Sequence, residues 1–169
     1  MRAYFFGNMY LSSIQQGIQA GHCIADMFIR YTNGLKPGSK DQMLYEWAEE
    51  HKTMILLNGG YDSTIHDLTT FFENINNPFP WVDFYESADA MNGLQTTVGI
   101  ILPEHIYEGA AIVRKCRRGW DEVTQVLHDD GTRTILQPTT AMVADARYWE
   151  YSAWEVELID RLNSFGLAR

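Results

Sequence analysis

The sequence predicts an α/β domain: a mixed four-stranded sheet with helices on both faces, followed by a C-terminal extension made of a hairpin and a helix. Three observations carry this. Strand-like and helix-like stretches alternate along the first two thirds of the chain, separated by Pro and Gly punctuation. The first strand candidate is apolar on both faces, as the buried centre of a sheet requires. The 169 residues, 46% hydrophobic and 13% aromatic, are enough to bury a core without staples.

Arg2 to Asn8 reads as a strand through Ala3, Tyr4, Phe5 and Phe6. Leu11 to Thr32 follows as one helix, opened by a Ser12 or Ser13 cap. Ile14, Ile18, Ala25, Phe28 and Ile29 recur at helical spacing and are expected to form its buried stripe. Gln15, Gln19, His22 and Asp26 form a second, polar stripe. Gly17 and Gly21 cost helix stability, about 1 kcal/mol each against alanine, so the reading expects a backbone or ligand to approach closely there. Asn33 to Ser39 is a loop of turn formers, and Lys40 to His51 a second helix with Met43, Leu44 and Trp47 inward.

Lys52 to Leu57 is the second strand, stopped by Asn58-Gly59-Gly60. Asp62 or Ser63 should cap a third helix running to about Asn76, with Ile65, Leu68, Phe71 and Phe72 buried. Trp81 to Glu86 alternates as a third strand, and Ser87 to Gly93 is a loop. Leu94 to Leu102 is a fourth strand rich in β-branched residues, with Pro103 at the start of another helix. Residues 1–115 are expected to form the main domain and 116–169 the extension, packed on that domain or on a partner subunit. In the extension, Glu122 to Gln137 reads as a hairpin turning at Asp130-Gly131, and Arg147 to Ser164 as a final helix.

The net charge of −9 argues against broad nucleic-acid binding, which needs clustered cations. Two cysteines without zinc-type spacing, and histidines without HExxH spacing, give no expected metal site, and no cofactor motif stands out. No apolar run is long enough to span a membrane and Met1 to Tyr10 has no signal-peptide pattern, so the expected setting is cytoplasmic.

Three constellations could carry chemistry. On the polar stripe, Asp26 lies one turn from His22 and could orient its ring; the competing reading is a solvated face. Glu86, Asp89, Thr96 and Thr97 fall at the end of one strand and the start of the next, where α/β sheets gather ligands. Arg117 and Arg118 belong to the chain's basic cluster, Arg114 to Arg118, suited to phosphate or to a helix C-terminus.

The stretch Ile14-Gln15-Gln16-Gly17-Ile18-Gln19-Ala20-Gly21-His22-Cys23, together with Glu86 and Gln95-Thr96-Thr97-Val98-Gly99-Ile100-Ile101-Leu102-Pro103, resembles the type 2 peptidyl-tRNA hydrolase family. Gln19 and His22 match its first motif directly, and the likeness covers about residues 1–115. The resemblance and the constellations together give His22, Glu86 and Thr96 as catalytic candidates and Gln15, Gln19, Asp26, Asp89 and Thr97 as ligand-binding ones, while the basic cluster, outside the resemblance, gives Arg117 and Arg118 as an anion contact. The resemblance implies a nucleotide-containing ligand or a tRNA 3′ end as partner. The chain departs from the family where an active-site lysine is replaced by Gln15, and where the aspartate becomes Glu86 or shifts to Asp89. A neutral amide cannot supply a lysine's stabilisation of a developing oxyanion. The leading expectation is therefore a divergent, phage-type member that binds a nucleotide-containing ligand and hydrolyses it poorly. The alternatives are an active peptidyl- or aminoacyl-tRNA esterase and a viral interaction protein that binds a basic host factor. A homodimer is compatible with all three.

Overall fold

A computed structural model describes residues 1–31, 37–109, 126–127, 133–134 and 151–167. The chain divides into two compact units, the first comprising Met1–Glu104 with Phe165–Arg169, the second His105–Ser164. The sequence-based boundary after Lys115 lies outside the described residues.

The first unit is a mixed α/β sheet. Its strands are β1 (Arg2–Gly7), β2 (Met54–Asn58), β3 (Trp81–Tyr85) and β4 (Gln95–Leu102), in spatial order β2-β1-β4-β3. β1 runs parallel to β2 and antiparallel to β4, which is antiparallel to β3. Every residue of β4 is buried, as is β1 beyond Arg2. The central strands therefore need apolar or small side chains on both faces.

Helix α1 (Ser13–Arg30) covers one face, and α2 (Lys40–Glu46) continues without a break into a π-helical turn, Trp47–His51. Ala3, Phe5, Val82 and Ile101 from the sheet meet Ala20, Cys23 and Met27 of α1, with Leu44 and Trp47, in one core. Helix α3 (Asp62–Phe72) covers the other face, where Phe72 packs on Phe6 and Trp81 with ring centroids 6.1 and 6.2 Å apart. It ends four residues before the expected Asn76, because the Asn77 amide donates to the Phe72 carbonyl at 2.8 Å and closes the helix. Tyr61 precedes α3 without a side-chain cap, so neither Asp62 nor Ser63 plays that part. The expected loop after β3 contains one short helix, α4 (Ala88–Met91), capped by Ser87.

The phase of α1 differs from the expectation. Its buried residues are Gln16, Gln19, Ala20, Cys23 and Met27, whereas Ile14, Ile18 and Ile29 are 77%, 53% and 75% exposed. The cause is the closeness of helix and sheet. A Cβ on Gly99 of β4 would lie 2.7 Å from Phe5 and 3.2 Å from Met27, so the facing side of α1 takes small or flexible side chains and turns its isoleucines outward. Gly17 and Gly21 share that outward side. An added Cβ there meets nothing within 4 Å, so no group approaches them as the sequence suggested.

Helix α5 begins at residue 104, the last of that stretch of the first unit, and its described part runs to residue 109 in the second; there Val126–Leu127 (β5) pairs antiparallel with Arg133–Thr134 (β6). The Asp130-Gly131 turn of the expected hairpin lies outside the described residues. Helix α6 (Ala153–Ser164) buries Trp154, Leu158 and Ile159. Residues after it rejoin the first unit. Phe165 sets its ring edge-on to Phe6 at 4.9 Å, the Asn58 N–H donates to the Gly166 carbonyl, and Leu167 bridges Leu57. No helix among the described residues is long and apolar enough to cross a membrane.

Candidate functional site on the α1 face

Pleat alternation determines which residues can meet at this site. Gly7 pairs with Thr97, Phe5 with Gly99 and Ala3 with Ile101, so these alternate residues face α1. On the neighbouring strand Phe84 pairs with Thr97, but Tyr85 pairs with Gln95. Thr96 is therefore an extra residue on β4, a bulge. A bulge breaks the alternation and can turn two successive side chains toward one face. Gln95 points to the opposite side, where its amide donates to Thr69 of α3 at 2.6 Å. Thr96 instead reaches α1.

Gln19 is the hub. Its amide donates to the Glu86 carboxylate at 2.6 Å, and its carbonyl accepts the Thr96 hydroxyl at 3.2 Å. Gln19 and Thr96 are buried, and Glu86 is half-buried. Both polar ends of one glutamine are thus committed, which fixes its orientation and holds the carboxylate beside the helix. Among the described residues no Lys or Arg forms an ion pair with Glu86. His22, one turn further along α1, stacks on Phe84 at 4.8 Å with the rings within 13° of parallel. This exposed imidazole and its aromatic support form a flat surface next to the hub.

Three buried polar atoms near this hub have no hydrogen-bond partner: the Thr97 hydroxyl, the Gln16 carbonyl and the Asn8 amide nitrogen. A Cβ on Gly7 would sit 2.9 Å from the same Gln16 oxygen. Thr97 is Gly7's partner across the ladder, so hydroxyl and carbonyl lie against the same stretch of β1. Gln16 is anchored at its other end, its amide donating to the Leu11 carbonyl at 3.0 Å. Unpaired buried polar groups are rare because each costs about 1–3 kcal/mol. Their concentration beside a bulge marks a place with spare hydrogen-bonding capacity.

The structure brings Gln19, His22, Glu86, Thr96 and Thr97 to one face. Gln15 does not join them. Its carbonyl accepts both the Ser12 N–H and the Ser12 hydroxyl at 2.9 Å, in a capping box at the helix entrance. Asp26 is half-buried one turn beyond His22 and makes no ion pair with it. Asp89 is exposed on α4, and Arg117 and Arg118 lie outside the described residues. Sequence reading missed Asn8, Gln16 and Phe84. Gln16 is three residues before Gln19, and only the correct helix phase separates it from the outward Gln15.

One further group was missed. Where α2 runs into the π-helical turn, Glu46, Glu50 and His51 bring ligand atoms within 4.8 Å of one another, all on exposed side chains. The wider turn places positions five apart on one side, a spacing that α-helical metal motifs do not contain. Comparison with protein-family models and with curated proteins finds no match for this chain.

Proposed function

We propose that the first unit is a peptidyl-tRNA hydrolase-like domain that binds a nucleotide-containing ligand on its α1 face and hydrolyses peptidyl esters slowly. The observation that carries this reading is the Gln19 hub, which holds a carboxylate and a hydroxyl beside unpaired buried acceptors and donors. Such groups suit the hydroxyls of a ribose and the edge of a base, and the His22–Phe84 pair offers a planar surface for stacking. Slow hydrolysis follows from what the hub contains. Glu86 can act as a base toward water, but among the described residues no cation stands with it to stabilise an oxyanion, and Gln15 is committed to the cap.

The test pairs a titration with a turnover assay on the unmutated protein. Nucleosides and nucleotides should bind saturably. Glu86→Gln should weaken that binding about tenfold, the scale of a lost charged hydrogen bond. Peptidyl-tRNA turnover should be slow. Robust turnover that survives both Glu86→Ala and His22→Ala would show that the site is misplaced. A second reading, an interaction module for another protein, is favoured by the outward Ile14, Ile18 and Ile29. Ile14→Lys with Ile18→Lys should leave nucleoside binding intact and abolish partner capture if that reading holds.

A further inference from the structure

Eleven residues beyond Gln19, roughly 16 Å along the axis of α1, the helix ends against an open cavity of about 550 Å³. That size suits a small molecule. Its lining includes Arg30, Tyr31, Lys40, Glu73, Asn77 and Trp81. The wall is held in place. Tyr31 donates its hydroxyl to the Trp81 carbonyl at 3.0 Å and accepts the Trp81 N–H at 3.2 Å. The Arg30 guanidinium lies 4.6 Å from the centre of the Trp81 ring and reaches the Trp81 carbonyl at 3.5 Å. This contact with a buried ring orients the guanidinium.

Lys40 is the second cation. It is half-buried, and burial together with the Arg30 charge pushes its ammonium below the usual lysine range. Withdrawing an ammonium from water costs free energy that a nearby anion offsets. Here, among the described residues, neither Lys40 nor Arg30 forms an ion pair with a carboxylate, although the chain has 22 acidic residues against 13 basic ones. Glu73, the carboxylate in the lining, is exposed and pairs with neither. Asn77 spends its side chain on the Phe72 carbonyl and the Phe79 N–H. Two like charges are thus brought together at the wall of a cavity, with their donors left over.

We propose that this cavity binds the oxyanion group of a small molecule, a phosphate or a carboxylate, between Arg30 and Lys40. The guanidinium offers a planar fork that can grip two oxygens, and the ammonium a point charge beside it. A bound anion relieves the repulsion between the two cations. The site is separate from the Gln19 hub and does not depend on the function proposed for it.

The experiment titrates the full chain with inorganic phosphate and, in a second arm, with succinate, at constant ionic strength made up with chloride. Backbone amide spectra report binding. Saturable binding of either anion is expected, and the arm that saturates names the class. Lys40→Gln should weaken it at least tenfold, Lys40→Arg should keep it within about threefold, and Glu86→Gln should leave it unchanged. The proposal is overturned by three results: neither anion saturating, folded Lys40→Gln binding as the unmutated chain does, or Glu86→Gln losing binding as Lys40→Gln does. Arg30→Gln is a supporting variant; should it unfold through loss of the Trp81 contact, Lys40→Gln decides alone.

Discussion

Cys23 shows how strongly one residue reports its surroundings. It is fully buried on the sheet-facing side of α1, and burial, with the nearby Asp26 and Asp83 charges, pushes its thiol far above the ordinary range. A thiolate is the reactive form, so the folded protein should resist alkylation there. In a Cys116→Ser background iodoacetamide should label Cys23 only as fast as the protein unfolds, and urea should accelerate labelling. The linkage has a definite sign. Because the folded pKa lies above the unfolded one, this contribution to stability is complete below the unfolded thiol's pKa, about 8.5. It declines as pH rises past that value, since only the unfolded chain can ionise there. Urea midpoints should fall between about pH 8 and 10, and less steeply in Cys23→Ala. At this scale the sequence singled out Gln19, His22, Glu86 and the two threonines, which the fold brings to one face, because polar side chains in apolar stretches stand out. It could not separate Gln15 from Gln16, since neighbouring glutamines differ only in helix phase.

At the scale of elements, the entrance to α1 and its seat on the sheet are the points most open to test. Ser12 accepts the Gln15 N–H at 3.3 Å while Gln15 reaches back to Ser12. Ser12→Ala should cost about 1 kcal/mol, read from chemical denaturation. Gly99→Ala is the sharper case. The new methyl would press into the Phe5 ring at 2.7 Å, so the ring must shift, at about 1–3 kcal/mol. No loss of stability would mean that α1 sits further from β4 than described. The elements themselves were legible, since apolar runs and Gly-Pro breaks carry the order of strands and helices. The phase of α1 was not. Ile14, Ile18 and Ile29 are more hydrophobic than Ala20 and Cys23, and a hydrophobicity pattern cannot register that a glycine on the facing strand brings the helix so close that the side facing it takes small or flexible side chains. The bulge at Thr96 was equally silent, because an extra residue in a ladder leaves no mark on composition.

At the scale of the whole molecule, strand alternation and length predicted a mixed sheet with helices on both faces, and this is the architecture of the first unit. The return of the chain after α6 was not predicted. Phe165, one residue past the end of that helix, belongs with Phe6 in the first unit. Phe165→Ala should lower stability by about 1–3 kcal/mol through lost aromatic packing. Amide exchange should then quicken in β2, at Leu57 and Asn58, before it quickens in β3. Equal exchange in both strands would mean that the return segment does not support the β2 edge.

The order of synthesis gives that return segment a further consequence. Residues 105–164 are made between the first unit's four strands and the segment that closes against Leu57 and Asn58. While they emerge, the outer edge of β2 has open backbone groups, the kind of surface on which growing chains pair with one another. The nascent protein therefore passes through an interval in which its sheet is complete but its rim is not. How quickly the intervening stretch is translated then bears on how much of the product escapes aggregation.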